Sequence, residues 1–190
     1  DEASLSPSSR LGDTISPSEE NALEKFINSV DVVTYESENT STELVAQITK
    51  KGSVYPGEKS LANSQHRLTE KGLFRSLGIA TANFERVTTK EELDLAVSKL
   101  GLPIVLKTTR EGYDGKGQAV IKTEADIGLA WDKLQGTELI AEAFVTFSRE
   151  LSVIAVRSTS GEINVFPLAE NDHSEGILRV SRVPAQNLSD

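Results

Sequence analysis

Three glycines fall within six residues at Gly112-Tyr113-Asp114-Gly115-Lys116-Gly117, between two short β-prone segments. Pro103-Ile104-Val105-Leu106-Lys107 precedes them and Gln118-Ala119-Val120-Ile121-Lys122 follows. Strands separated by so short a link pair back on themselves, so the stretch reads as a hairpin with a glycine-rich tip. Glycine permits positive φ and leaves backbone amides uncovered. With Arg110 and Lys116 beside it, such a tip can approach a polyphosphate closely. It is not a Walker A loop, which needs Gly-Lys-Ser/Thr leading into a helix. Taken alone, the segment reads more simply as a tight β-turn or a bulged hairpin, where Asp-Gly is a common choice.

Its neighbours carry more. Lys107 ends a strand that reads as buried, and a buried ammonium is costly unless an anion meets it. Glu142-Ala143-Phe144-Val145 closes a later strand, and Glu150 opens the next one. A connector with available amides suits the edge of a purine, and a carboxylate one strand-turn later can accept both ribose hydroxyls. Lysine, glycine hairpin, connector and carboxylate, in that order, form a nucleotide-holding constellation.

Around this centre the pattern is mixed. Residues 1–14 read as loop, and Ser16-Pro17 opens a helix with Leu23, Phe26, Ile27 and Val30 on one face. Val30 to Tyr35 reads as a strand and Ser41 to Lys50 as a helix, which together indicate a parallel α/β layer. Leu61 to Leu77 reads as mostly helical with an apolar core stripe at Leu68, Leu73, Phe74 and Leu77. Ile79 to Val87 reads as a strand. Thr89 caps a helix carrying Leu93, Leu95, Ala96 and Leu100 as core. Thr123 to Lys133 reads as a further helix and Glu138 to Val145 as a strand, giving a compact α+β lobe. Beyond Phe147 the chain is nearly all strand, at Ser148 to Arg157, Ile163 to Leu168 and Gly176 to Val183. Asn171-Asp172-His173-Ser174 reads as a polar turn, in which His173 is either a ligand or an exposed loop histidine.

The net charge of −9 argues against a nucleic-acid partner, since neutralising a phosphate backbone needs a basic surface. No apolar run is long enough to span a membrane. There is no cysteine, hence no disulfide framework and no thiolate metal site, which fits a reducing compartment. The chain begins at Asp1 and contains no methionine, and it reads as an internal piece of a longer polypeptide.

The segments from Pro103 to Lys107 and from Gly112 to Gln118 resemble the lid of the N5-carboxyaminoimidazole ribonucleotide synthetases, ATP-grasp ligases of purine synthesis. The similarity extends to Asp31-Val32-Val33-Thr34-Tyr35-Glu36 and Glu38-Asn39, to Gln65-His66-Arg67 (where the family usually has Asp in place of His66), and to Arg149-Glu150-Leu151-Ser152-Val153. Pro167-Leu168-Ala169-Glu170-Asn171-Asp172-His173 and Gly176-Ile177-Leu178-Arg179 also match. It implies an ATP-grasp fold, α/β and α+β. Residues 1–60 would end an N-terminal substrate-side α/β domain, 61–145 would form the lid subdomain, and 146–190 would start the catalytic antiparallel sheet.

The resemblance also implies roles. Arg67 and Lys107 would meet the nucleotide phosphates or base, and Gly112, Tyr113, Asp114, Gly115, Lys116, Gly117 and Gln118 would close over the β- and γ-phosphates. Lys116 would be the catalytic member. Glu142, Ala143, Phe144 and Val145 would hold adenine, Glu150 the ribose, and His173 would stand at the nucleotide. Beside Glu70, Arg67 has a solvated helix-surface charge as its simpler reading, and the motif puts the nucleotide role ahead; Glu36 and Glu38 are either substrate-side groups or strand-end surface charges. The implied reaction is ATP-dependent carboxylation of aminoimidazole ribonucleotide by bicarbonate, with ATP and Mg²⁺, in a cytoplasmic homodimer acting on small molecules. No residue among the 190 is expected as a metal ligand, the Mg²⁺-binding acids being expected after Asp190, so the piece alone is expected to be inactive. The alternatives are another ATP-grasp carboxylase, a formate-dependent glycinamide ribonucleotide transformylase, or a non-catalytic ATP-binding module.

Overall fold

The computed structural model describes residues 12, 13, 15, 19–112, 116–174 and 176–188. The chain forms two compact units, one ending at Ile79 and the other beginning at Ala80.

Among its described residues the first unit carries four short helices, α1 (Ala22–Asn28), α2 (Thr42–Thr49), α3 (Glu58–Ser64) and α4 (Arg67–Ser76). Helix α2 starts where expected because the Ser41 hydroxyl accepts the Leu44 amide at 3.2 Å, satisfying one of the orphan donors of the first turn. Helix α1 begins later than Ser16-Pro17 suggested; Ser16 to Ser18 lie outside the described residues. Ile27, Val33, Val45, Ile48, Val54 and Leu61 form the core of this unit.

The strand read at Val30 to Tyr35 shrinks to a single parallel bridge between Val33 and Val54, while Val30 and Val32 are exposed. β-branched composition supplies the propensity, but among the described residues only Val33 finds a bridge partner. The segment from Leu61 to Leu77 is two helices. The Gln65 side chain turns inward between them and donates to the Glu38 carbonyl at 2.7 Å and the Thr40 carbonyl at 2.8 Å. Nothing on α4 is fully buried, and Leu77 lies exposed beyond its end, so the apolar stripe there covers a surface instead of filling a core.

The second unit opens with β1 (Phe84–Val87), α5 (Lys90–Leu100), β2 (Ile104–Thr108), β3 (Gln118–Ile121), α6 (Asp126–Leu134) and β4 (Leu139–Ala143). The four strands make one antiparallel sheet in the order β1-β4-β2-β3. A capping box sets the start of α5: Thr89 Oγ1 accepts the Glu92 amide at 3.2 Å, and the Glu92 carboxylate accepts the Thr88 amide at 2.6 Å. Helix α6 starts after an additional turn, because Asp126 accepts the amides of Lys122 and Thr123 ahead of the helix. Ile104, Leu106, Ile121, Leu139 and Ala141 meet Leu93, Ala96, Ala130 and Leu134 in one core, so both helices cover the same face of the sheet. Leu95 is two residues from Leu93, on the far side of a 3.6-residue turn, and is 69% exposed, contrary to its expected place in the core.

The remaining strands are β5 (Glu150–Ser152), β6 (Ala155–Arg157), β7 (Ile163–Val165), β8 (Ala169–Ser174) and β9 (Ile177–Arg182). They form an antiparallel sheet β5-β8-β9 and a hairpin β6-β7. The segment Asn171 to Ser174, expected as a turn, is therefore the central strand of a sheet. Its polar side chains are satisfied laterally: Asn171 bridges Ser152 at 2.6 Å and Ser181 at 2.7 Å, Glu170 meets Arg149, and Asp172 meets Arg182. A strand so polar gives no period-2 signal, because its partners come from elsewhere in the chain.

Candidate nucleotide site

Strand alternation decides which side chains share a face. On β2, Leu106 points into the helix-covered core, so Lys107 stands on the opposite face; on β4, Ala141 does the same for Glu142. Lys107 is registered directly against Gln118 of β3 and against Ile140 of β4. Glu142 is two residues along from Ile140, a diagonal within reach of a long side chain. Lys107 Nζ donates to Glu142 Oε2 at 2.9 Å, with side-chain exposures of 27% and 8%. The anion that a strand-end lysine demands is thus supplied by the protein itself. A ligand phosphate meeting Lys107 would join an existing ion pair.

The base of the glycine hairpin is also built. The Thr108 amide donates to the Gly117 carbonyl at 2.9 Å, closing the two arms. Gly117 has φ +67°, and a Cβ there would come within 2.8 Å of Thr108 Oγ1 and 3.4 Å of the Gly112 Cα. Gly112 has φ 88° and Glu111, next to it, φ 59°. At Gly112 and Gly117 glycine adopts this left-handed backbone without strain, whereas Glu111 adopts it with a side chain in place. Thr109, at the root of the arm carrying Arg110, is buried and held to Glu138 of the neighbouring chain segment: its amide and hydroxyl both donate to the Glu138 carbonyl at 3.1 Å. Glu138 in turn accepts from Arg86 of β1. Lys116 enters the hairpin's second arm, immediately before Gly117. Tyr113, Asp114 and Gly115, expected at the tip, lie outside the described residues.

Beyond β4 the connector begins inside the sheet. The Ala143 amide donates to the Asn83 carbonyl at 2.8 Å and the Phe144 amide to the Pro103 carbonyl at 3.1 Å. These two connector amides, expected to be available to a base, are therefore engaged within the second unit. The Phe144 and Val145 side chains are half exposed, at 48% and 53%.

The second sheet brings together Glu150 and His173, which are 23 positions apart in the chain. Glu150 is registered against Asn171, and His173 Nδ1 lies 3.2 Å from Glu150 Oε1. His173 is a strand residue facing a carboxylate and not a turn histidine. On the other side of the same strands, Arg149 forks onto Glu170, Nε to Oε1 at 2.8 Å and Nη2 to Oε2 at 2.7 Å. The guanidinium beside Glu170 holds its carboxyl below the usual 4.5, chiefly through these hydrogen bonds. Sequence reading assigned Arg149 and Glu170 no role; they are 21 positions apart and no local signal links them. Arg67 is the first residue of α4, in the first unit.

The ATP-grasp domain model matches residues 72–190. An N5-carboxyaminoimidazole ribonucleotide synthase of Bacillus subtilis (strain 168) is 45% identical over 165 residues, covering 87% of this chain and 43% of that protein. The crystal structure of the ADP complex of an N5-carboxyaminoimidazole ribonucleotide synthetase superposes with a TM-score of 0.90 at 39% identity, over 97% of this chain and 50% of that one. The Aspergillus clavatus N5-carboxyaminoimidazole synthase in complex with ADP and aminoimidazole ribonucleotide follows at TM-score 0.86 and 27% identity, over 99% of this chain and 50% of that one. The chain spans about half the length of the proteins it matches. With that model covering the glycine hairpin and the sheet that joins Glu150 to His173, the chain belongs to the ATP-grasp family.

Proposed function

We propose that this chain is the nucleotide-holding part of an enzyme that carboxylates aminoimidazole ribonucleotide with bicarbonate at the expense of ATP. The observation that supports it most is the fold shared over nearly the whole chain with a synthase crystallised with ADP and aminoimidazole ribonucleotide. On this reading residues 61–145 act as the lid and 146–190 as the start of the catalytic sheet. Lys107, already neutralised by Glu142, meets phosphate oxygens as a charge-assisted donor, while Glu142 retains a second carboxylate oxygen for the exocyclic amine of adenine. The hairpin from Gly112 to Gln118, including Tyr113, Asp114 and Gly115, covers the terminal phosphates, and Lys116 stabilises charge developing on the transferring phosphoryl group. Val145 and its neighbours bracket the base, Glu150 accepts the ribose hydroxyls, and His173 fixes the Glu150 carboxylate from the adjoining strand. Arg67 supplies a further phosphate contact.

Closing such a lid excludes water, which carboxyphosphate requires to survive until the acceptor amine attacks it. Magnesium is expected to travel with the nucleotide. Among the described residues no three His, Cys, Asp or Glu side chains come together as a metal site, so no step is assigned to a metal held by them. Among the described residues no helix is long and apolar enough to cross a membrane. We take the full-length enzyme to be a cytoplasmic homodimer that acts on small molecules.

Coupled ADP detection in the full-length enzyme tests this. Full turnover should need both bicarbonate and aminoimidazole ribonucleotide. Turnover with formate and glycinamide ribonucleotide instead would keep the fold and overturn the substrate. Tight ATP binding with no acceptor-stimulated ADP release would make it a non-catalytic module.

A further inference from the structure

We propose that Arg149 and Glu170 form a positioning clamp that sets the aim of Glu150, and through it the recognition of the nucleotide ribose; the inference rests on the ribose role proposed above. Strand β5 is three residues long and is paired through β8. So short an edge holds its register weakly, and a slip of one residue would carry Glu150 to the other face of the sheet. Glu150 stands opposite Asn171, whereas Glu170 stands opposite Leu151, so Glu150 and Glu170 project from opposite faces. The clamp therefore lies behind the carboxylate–imidazole pair and does not touch the ligand.

Its geometry suits that task. The Arg149 fork makes two parallel bonds to Glu170, and the same guanidinium donates to the Gln186 carbonyl and, at 3.2 Å, to the Asn187 carbonyl. One side chain thus ties the residue just ahead of Glu150 both to β8 and to the segment that follows β9. Arg182, registered against Glu170 and paired with Asp172, adds a second cation near the same carboxylate. With β5 and β8 locked at this point, Glu150 Oε1 and His173 Nδ1 are held 3.2 Å apart on the front. Lysine would keep the charge but lose the planar fork.

The test compares kcat/KM for ATP and for 2′-deoxy-ATP in the full-length enzyme. Loss of folded protein lowers both values equally, so their ratio reads only ribose recognition. Glu150→Gln should reduce the preference for ATP by roughly tenfold or more, and Arg149→Lys and Glu170→Gln by roughly threefold to tenfold, through KM and not kcat. Should Glu170→Gln fail to fold, Arg149→Lys still decides. A wild-type ratio in folded Arg149→Lys and Glu170→Gln, alongside a collapsed ratio in Glu150→Gln, overturns the clamp. An unchanged ratio in Glu150→Gln overturns the ribose role and the clamp with it.

Discussion

Lys107 and Glu142, on neighbouring antiparallel strands and diagonal to one another, share an ion pair of 2.9 Å on the face of the four-stranded sheet away from its helices. Strand pairing has thereby neutralised a cation in advance of any ligand, and the carboxylate half of the pair is nearly inaccessible.

Removing either partner should therefore cost stability as well as nucleotide affinity. Lys107→Met leaves a buried carboxylate without its ammonium and should destabilise the second unit by about 1–3 kcal/mol. The double variant Lys107→Met with Glu142→Gln should recover part of that loss. Urea denaturation of the four proteins of this cycle measures the coupling. Strict additivity would show that the pair contributes nothing to the fold.

Gly117→Ala should act through the hairpin alone. At φ +67°, with Thr108 Oγ1 at 2.8 Å from the new Cβ, the substitution should cost about 1–2 kcal/mol of local strain. The expected signature is a lowered Tm together with weakened ATP binding. Gly128 and Gly72 sit in helices with open space around a Cβ, so alanine there should be neutral or mildly stabilising. Equal effects at all three positions would contradict the assigned strain.

The acid limb of stability should carry a contribution from Glu170. Its carboxyl is held below 4.5 by Arg149 in the folded chain, so the native state binds fewer protons there than the unfolded one. The resulting stabilisation is complete above the unfolded value and is lost as the pH falls through the lower folded value. Glu170→Gln should therefore be less stable than the parent at about pH 7, with the gap closing below about pH 4. Glu92 and Asp126, lowered by their bonds to Thr88 and Thr123, should keep an acid limb in the variant. Denaturation midpoints across this range give the comparison, and a gap independent of pH would remove Glu170 from the account.

Kinetics of the full-length enzyme should separate Lys116 from Glu150. If Glu150 accepts the ribose hydroxyls, that contact is made equally in ground and transition states, so Glu150→Ala should raise KM for ATP roughly tenfold with little change in kcat. If Lys116 meets charge that develops on the γ-phosphoryl group, Lys116→Ala should lower kcat by roughly a hundredfold. Steady-state ADP release at varied ATP measures both. The reverse pattern would exchange their roles.

What the sequence determined by itself is what short-range chemistry encodes. The Ser41 and Thr89 caps, the core positions Leu93 and Ala96 of α5 and the glycines demanding positive φ at 112 and 117 all act within a few residues, and α2, α5 and the β2–β3 hairpin stand where they were read. The order of Lys107, the glycine hairpin, Glu142 and Glu150 was legible for the same reason. Tertiary structure decided what depends on partners distant in the chain. Val30 to Tyr35 had strand propensity but only one bridge to make. Asn171 to Ser174 had turn composition, yet became a central strand because Ser152, Ser181, Arg182 and Glu150 arrived to satisfy it. The neutralisation of Lys107 by Glu142 and the Arg149–Glu170 fork arise only from strand register. Separations of 35 and 21 residues leave no periodic trace for a sequence to show.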